Sequence, residues 1–222
     1  MIIEFAGLPG AGKSTIADQF FTTLEAEGVD PVAASSLAVG SGPFYLGRLR
    51  SVVRHGRFVA AVAWVACRSP RALQDRWLWF RMVMVMLHRF DVARSMAPLR
   101  PVIFDEGIVQ RAFLALVEAD RVGSVSEVGQ YLRHAPRPDV VVLLQVDPET
   151  CLARIAGRTR GVPNRLSGLS DDALGQRLAE AAWMIEQSLQ RLVADGTTRV
   201  VRLDGSADDV LEQVVNTVGV CL

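Results

Sequence analysis

Apolar residues fall along this chain in two rhythms: short unbroken runs and longer stretches with helical spacing. Ile2–Ala6, Val102–Phe104, Val140–Val146 and Arg199–Leu203 read as strands. Val140–Val146 is interrupted only by Gln145 and has the valine and leucine content of a central parallel strand buried on both faces. Val29–Ser36 is a weaker strand candidate. Lys13–Glu27 carries Ile16, Phe20, Phe21 and Leu24 as one stripe and ends at Gly28, the pattern of an amphipathic helix. Tyr45–Cys67 and Pro70–Ala97 predict two arginine-studded helices, the second stopped by Pro98 and Pro101. Ile108–Ala119, Ser170–Ala194 and Ser206–Val218 predict three more. Ser124-x-x-Glu127 reads as a capping box. Asp147-Pro148 reads as an N-cap followed by proline in the first turn of a helix that runs to about Ala156. Strands that alternate with helices predict an α/β fold, a parallel sheet covered on both faces.

Composition narrows this picture. With 222 residues, half of them apolar, the chain suits one compact domain covering 1–222 and is too apolar to be disordered. The formal net charge is zero, but 23 of the 24 basic residues are arginine and one is lysine, Lys13. Between Pro31 and Phe104 eleven arginines face only two acids, Asp75 and Asp91. Such a block suits an anionic partner, and equally the solvated faces of helices. Cys67, Cys151 and Cys221 are far apart and form no zinc or disulfide pattern, which fits free thiols in a reducing cytoplasm. The N-terminus has no basic leader region and reads as no signal peptide. The most apolar stretches, Phe58–Cys67 and Met82–Leu87, fall well short of the ~20 residues of a spanning helix, so no membrane span is expected.

The lone lysine stands in Gly7-Leu8-Pro9-Gly10-Ala11-Gly12-Lys13-Ser14, a full match to G-x-x-x-x-G-K-[ST] between a strand and a helix. The glycines let the backbone curl so that N–H groups point inward at phosphate oxygens, and the helix N-terminus adds a favourable dipole. Lys13 is a compact charge for the β- and γ-phosphates, where the bulkier, planar arginine would not fit. Ser14 offers a hydroxyl to Mg²⁺, and Thr15 follows it. Asp105-Glu106 ends an apolar strand, where ligands of doubly wound sheets bind. Asp105 could hold a metal or accept a proton from an acceptor hydroxyl; both residues could equally cap the following helix. Arg111 could turn toward the same cleft. Arg154, Arg158, Arg160 and Arg165 surround the polar stretch Gly157–Ser167, with no carboxylate between Glu149 and Asp171. A loop of this kind can close over phosphates and neutralise a transferring phosphoryl group.

GLPGAGKST, FDEG, PDVVVLLQVDPETCLARIAGRTR and VVRLDGSADDV occur in that order, and the chain resembles the nucleoside and nucleotide kinases of the P-loop class, thymidylate kinases in particular. The resemblance implies a three-layer P-loop fold with a five-stranded parallel sheet in the order 2-3-1-4-5. It also implies a lid over residues 154–168, with Arg154 or Arg158 at the adenine of ATP and Asp204-Gly205-Ser206 on the loop bordering it. Departures lie on the acceptor side. Ala6 and Pro9 stand where thymidylate kinases carry acids. Glu106 stands where they carry arginine, and Ser35-Ser36-Leu37 lacks an arginine they have after the second strand. Residues 38–99 become the acceptor-binding insertion, and Arg48 and Arg54 within it, with Glu106, Arg111 and Arg165 outside it, are the candidate acceptor contacts. Trp64, Trp77, Trp79, Phe80, Met82, Met84 and Met86 read as core, His55 as a surface residue rather than a catalytic base, and His88 and His134 as residues without a partner pattern.

The expectation is a Mg·ATP-dependent kinase that transfers the γ-phosphate to a hydroxyl of a small acceptor, which the arginines would suit if it is anionic. Lys13, Asp105, Arg158 and Arg160 would carry the chemistry, and Ser14 and Asp105 would hold the metal. A nucleoside monophosphate kinase is the alternative, and an ATP-binding regulatory module docking on a polyanion the second; nucleic acid is not an expected partner. Apolar stripes on outward-facing helices would serve a homodimer.

Overall fold

The computed structural model describes residues 1–37, 44–68, 73–116, 124–157, 166, 168–194, 196–204 and 211–216, without the side chains of 44–48, 73, 113–116 and 191. In chain order the elements are β1 (Ile2–Gly7), α1 (Lys13–Ala26), β2 (Val32–Ala33) with a 3₁₀ turn (Ala34–Ser36), α2 (Phe44–Arg54), α3 (Gly56–Arg68), α4 (Leu73–Met96), β3 (Val102–Phe104), α5 (Ile108–Leu116), α6 (Val125–His134), β4 (Val140–Leu144), α7 (Pro148–Ala156), α8 (Asp171–Ala194) and β5 (Arg199–Leu203). A last helical stretch is described at 211–216.

The strands form one five-stranded sheet in the order β2-β3-β1-β4-β5. All its pairings are parallel. This is the fold class and strand order the resemblance implied. Every residue of β1 and β4 is buried, and because side chains alternate across a strand, both faces of the sheet must be covered. Neighbouring residues of β1 show by what. Phe5 meets Phe20 of α1 edge to face at 6.0 Å, while Glu4, pointing the other way, accepts a hydrogen bond from the backbone of α5.

Local signals were obeyed closely. Ser124 and Glu127 make both bonds of the capping box. Asp147 caps α7 with Pro148 in its first turn, and the Thr150 N–H donates to Asp147 Oδ1 at 2.7 Å. The Thr150 hydroxyl and then its N–H hold the exposed Asp147 carboxyl below the usual range.

Three expectations need correcting. The single helix over Tyr45–Cys67 is two, broken at His55, where Gly56 gives the chain a poor helix former and a place to bend. His55 is not an isolated surface residue: its Nε2 lies 2.9 Å from Asp91 Oδ1 on α4. The tryptophan and methionine cluster is not wholly core. Trp79, Val83, Met86, Leu87 and Phe90 form the buried stripe of α4, but Trp77 lies off that stripe and is 61% exposed, and Trp64 and Met82 are also exposed. Helical geometry buries only one side of so long a helix.

Cys67 and Cys151 are free thiols, the second buried; Cys221 lies outside the described residues. Among those residues no helix is long and apolar enough to cross a membrane. Several arginines of the basic block are paired at the surface of the fold, Arg94 with Asp139 at 2.7 Å, Arg100 with Asp30, and Arg68 over the Trp64 ring.

Candidate functional site

The parallel register brings the site together. Glu4 pairs with Phe104 and Gly7 with Leu144, so β1 ends between the turn that follows β3 and the segment that follows β4. The loop Gly7–Lys13 then lies at the carboxyl end of the sheet with Asp105-Glu106-Gly107 on one side and Gln145–Asp147 on the other.

Within the loop the Lys13 Nζ, buried, donates to the carbonyls of Gly7 and Leu8 at 3.0 and 2.8 Å. Gly10 has φ +92°, and a Cβ there would meet the Cys151 carbonyl oxygen of α7 at 2.6 Å, so the tight turn admits glycine alone. Ser14 and Thr15 are exposed in the first turn of α1. Arg154 reaches back from α7, its Nη1 donating to the Ala11 carbonyl at 3.3 Å. The structure therefore gathers Gly7, Gly10, Ala11, Gly12, Lys13, Ser14, Thr15 and Arg154 around one loop.

Asp105 and Glu106 are half-buried in the adjoining turn. Glu106 Oε2 lies 2.8 Å from Arg111 Nη2, so the arginine does turn to this side but answers an internal carboxylate. Arg54, by contrast, is 60% exposed and lies 3.7 Å from Asp91. Asp204 is exposed just past β5, beside β4 rather than β1. Arg158, Arg160, Arg165, Gly205, Ser206 and the Arg48 side chain lie outside what is described. A cleft of about 350 Å³ opens on the β4 side of the loop, between Gly7, Leu8, the Leu143–Pro148 segment and Ala182, Ile185 and Glu186 of α8. Of the candidate residues that are described, only Gly7 lines it.

Two residues that the motifs did not single out lie directly beneath the loop. Glu4 is 1% exposed in mid-strand, and its Oε1 accepts from the Gln110 N–H at 2.7 Å. Burial pushes this carboxyl up to about 8, against the pull of the N–H groups of Gln110, Val109, Ile108 and Gly107. Burial likewise raises the Tyr131 phenol on α6, with the Glu4 charge adding to the rise and Arg111 opposing it. Gln110, fully buried, uses both ends of its amide on Gly7: Oε1 accepts from the N–H at 2.9 Å and Nε2 donates to the carbonyl at 3.0 Å. The one sequence signal for Glu4 was a carboxylate interrupting the apolar run Ile2–Ala6; Gln110 had none.

For Mg²⁺ the donors fit: a serine hydroxyl and a carboxylate are the hard oxygen ligands the ion takes, beside phosphates and water. Among the described residues no cluster of three His, Cys, Asp or Glu exists, and an ion shared with phosphates does not require one.

No family model matches the chain. It is 30% identical over 161 residues to a thymidylate kinase of Xanthomonas oryzae pv. oryzae strain PXO99A, which covers 71% of this chain and 61% of the relative. It is 29% identical over 161 residues to a thymidylate kinase of Xanthomonas euvesicatoria pv. vesicatoria strain 85-10, with 71% and 62% covered. The chain thus spans about three-fifths of the length of the curated relatives it matches. Among solved structures, a deoxyadenosine kinase from M. mycoides with dCMP and dCDP superposes with a TM-score of 0.55 at 17% identity, covering 99% of this chain and 100% of that one. The same enzyme with dATP bound gives 0.51 at 20% identity, with the same coverage. The fold is that of P-loop nucleotide kinases.

Proposed function

We propose that this chain, P-loop nucleotide-kinase-like in fold, is an ATP-dependent phosphotransferase that passes the γ-phosphoryl group to a hydroxyl of a small molecule. The observation that carries the reading is the loop itself: a buried lysine ammonium within a curl of backbone at a helix N-terminus, with a carboxylate on the neighbouring strand end. In that arrangement the loop amides and Lys13 bind the β- and γ-phosphates. Mg²⁺ would be held by Ser14 directly and by Asp105 through a bound water, and would neutralise charge on the phosphates. Asp105 accepts the proton of the attacking hydroxyl, the hydroxyl oxygen forms the new bond to phosphorus, and ADP leaves. Arg154 borders the nucleotide, and Arg158 and Arg160 of a lid at 154–168 screen the transferring group.

The pairing of Arg111 with Glu106 favours a hydroxyl acceptor over a nucleoside monophosphate. A doubly charged phosphate acceptor needs unspent cations beside the acidic turn, and the guanidinium there is already neutralised at 2.8 Å. Residues 38–99 form the acceptor-binding part of a single domain, with Arg48, Arg54 and Arg165 as contacts if the acceptor is anionic. The exposed Leu78 and Met82, one turn apart on α4, suit a face between two copies of the chain. An assay of ADP release with Mg·ATP against nucleosides, nucleoside monophosphates and hydroxylated metabolites tests the reading. Turnover confined to hydroxyl acceptors supports it. Turnover with dTMP and no hydroxyl compound overturns the acceptor assignment, and failure to bind Mg·ATP overturns the function.

A further inference from the structure

Gly7, the first residue of the loop, has a carbonyl with two donors on it: Lys13 Nζ at 3.0 Å and Gln110 Nε2 at 3.0 Å. The Gly7 N–H is also taken, by Gln110 Oε1 at 2.9 Å. Gln110 stands in the first turn of α5, and that turn is itself tied to β1, because its N–H donates to Glu4 Oε1 at 2.7 Å. Gly107 makes the approach feasible: a Cβ there would lie 2.4 Å from the Glu4 carboxyl carbon. The acidic turn Asp105–Gly107 is therefore fastened to the strand that leads into the loop, and the loop to the helix that leads out of the turn.

We propose that Gln110 and Glu4 are positioning residues that lock the phosphate-binding loop to the Asp105 turn and free Lys13 to leave the Gly7 carbonyl. The second part follows from hydrogen-bond accounting. Lys13 must turn from the carbonyls of Gly7 and Leu8 to reach a phosphate oxygen. A buried carbonyl abandoned by its donor is costly, and the Gln110 amide keeps Gly7 satisfied throughout. The first part follows from reach. Gln110 is a neutral side chain whose amide goes to Gly7, and its backbone sits in the helix turn that follows the acidic turn. This rests on the reading of the loop as a phosphate site, and the test separates the two.

Gln110→Met keeps the volume of the side chain and removes both bonds to Gly7. Hydrogen exchange of the ligand-free protein, read over the segment 5–13, tests the lock without any ligand. Exchange there is expected to rise about thirtyfold while β4 and α8 stay unchanged, the size of two lost net hydrogen bonds. Binding of Mg·ATP, measured by calorimetry, is expected to weaken about thirtyfold on the same ground, and the thermal midpoint of the ligand-free protein to fall by several degrees. Glu4→Ala is expected to loosen the same segment, and Glu4→Gln, which keeps an acceptor for the Gln110 N–H, to loosen it less. Exchange in Gln110→Met equal to wild type overturns the lock. Faster exchange with undiminished Mg·ATP affinity overturns its service to the site. A wild type that binds no Mg·ATP overturns the proposed function and leaves the lock to be decided by exchange.

Discussion

Glu4→Gln offers a quantitative check on the buried carboxyl. In the unfolded chain a glutamate titrates near 4.5, and in the folded protein Glu4 titrates at about 8. The folded state therefore binds one more proton than the unfolded state between those two values, and unfolding free energy falls as pH rises through the window. Stability from this group is complete below about pH 4.5 and fully lost above about 8. The full effect of such a shift is about 5 kcal/mol at 1.36 kcal/mol per unit, and about 3 kcal/mol of it falls between pH 5.5 and pH 8. Glutamine is isosteric and does not titrate, so it removes this slope whatever it does to absolute stability. Urea unfolding of both proteins at half-unit steps from pH 5.5 to 8.5 measures it. The wild type should lose about 3 kcal/mol relative to the variant between pH 5.5 and pH 8. Parallel curves would refute the reasoning, because they would mean that the helix N-terminus of α5 stabilises the carboxylate as fully as water does.

Other substitutions probe the same end of the sheet. Lys13→Arg preserves charge but puts a planar group where a narrow ammonium bonds two carbonyls; phosphoryl transfer should vanish with the circular dichroism spectrum unchanged. Asp105→Asn should lower kcat by about 10² to 10⁴ while leaving the calorimetric affinity for Mg·ATP within severalfold. Gly107→Ala forces a methyl onto the Glu4 carboxyl and should cost about 1–3 kcal/mol in urea unfolding.

Much of the site was legible because it is local in sequence. The loop from Gly7 to Lys13 is contiguous, Ser124 caps its own helix, and Asp147 and Pro148 announce α7, so side-chain chemistry and short-range geometry suffice. The buried stripe of α4 was not resolved by composition, since Trp77 and Trp79 look alike in a list of aromatics and differ only in the helix face they occupy. The break at His55 depended on the balance of one glycine against two flanking amphipathic segments, and the ion pair from His55 to Asp91 became available only after α3 and α4 had packed.

What the sequence alone determined was the local frame of the proposed phosphate site: a strand, a glycine-rich turn and one lysine at the start of a helix. What only the tertiary structure decided was how that place is held and what stands beside it. Glu4 and Gln110 are 106 positions apart and Gly7 and Gln110 are 103 apart, and no periodicity links them. They meet because parallel pairing of β1 with β3 carries the start of α5 over the strand that feeds the loop. A buried carboxyl and a buried amide are then obliged to find partners, and each finds backbone. The same packing set Arg111 on Glu106. Those pairings follow from the cost of leaving polar atoms unpaired away from water, and that cost exists only once the core has closed.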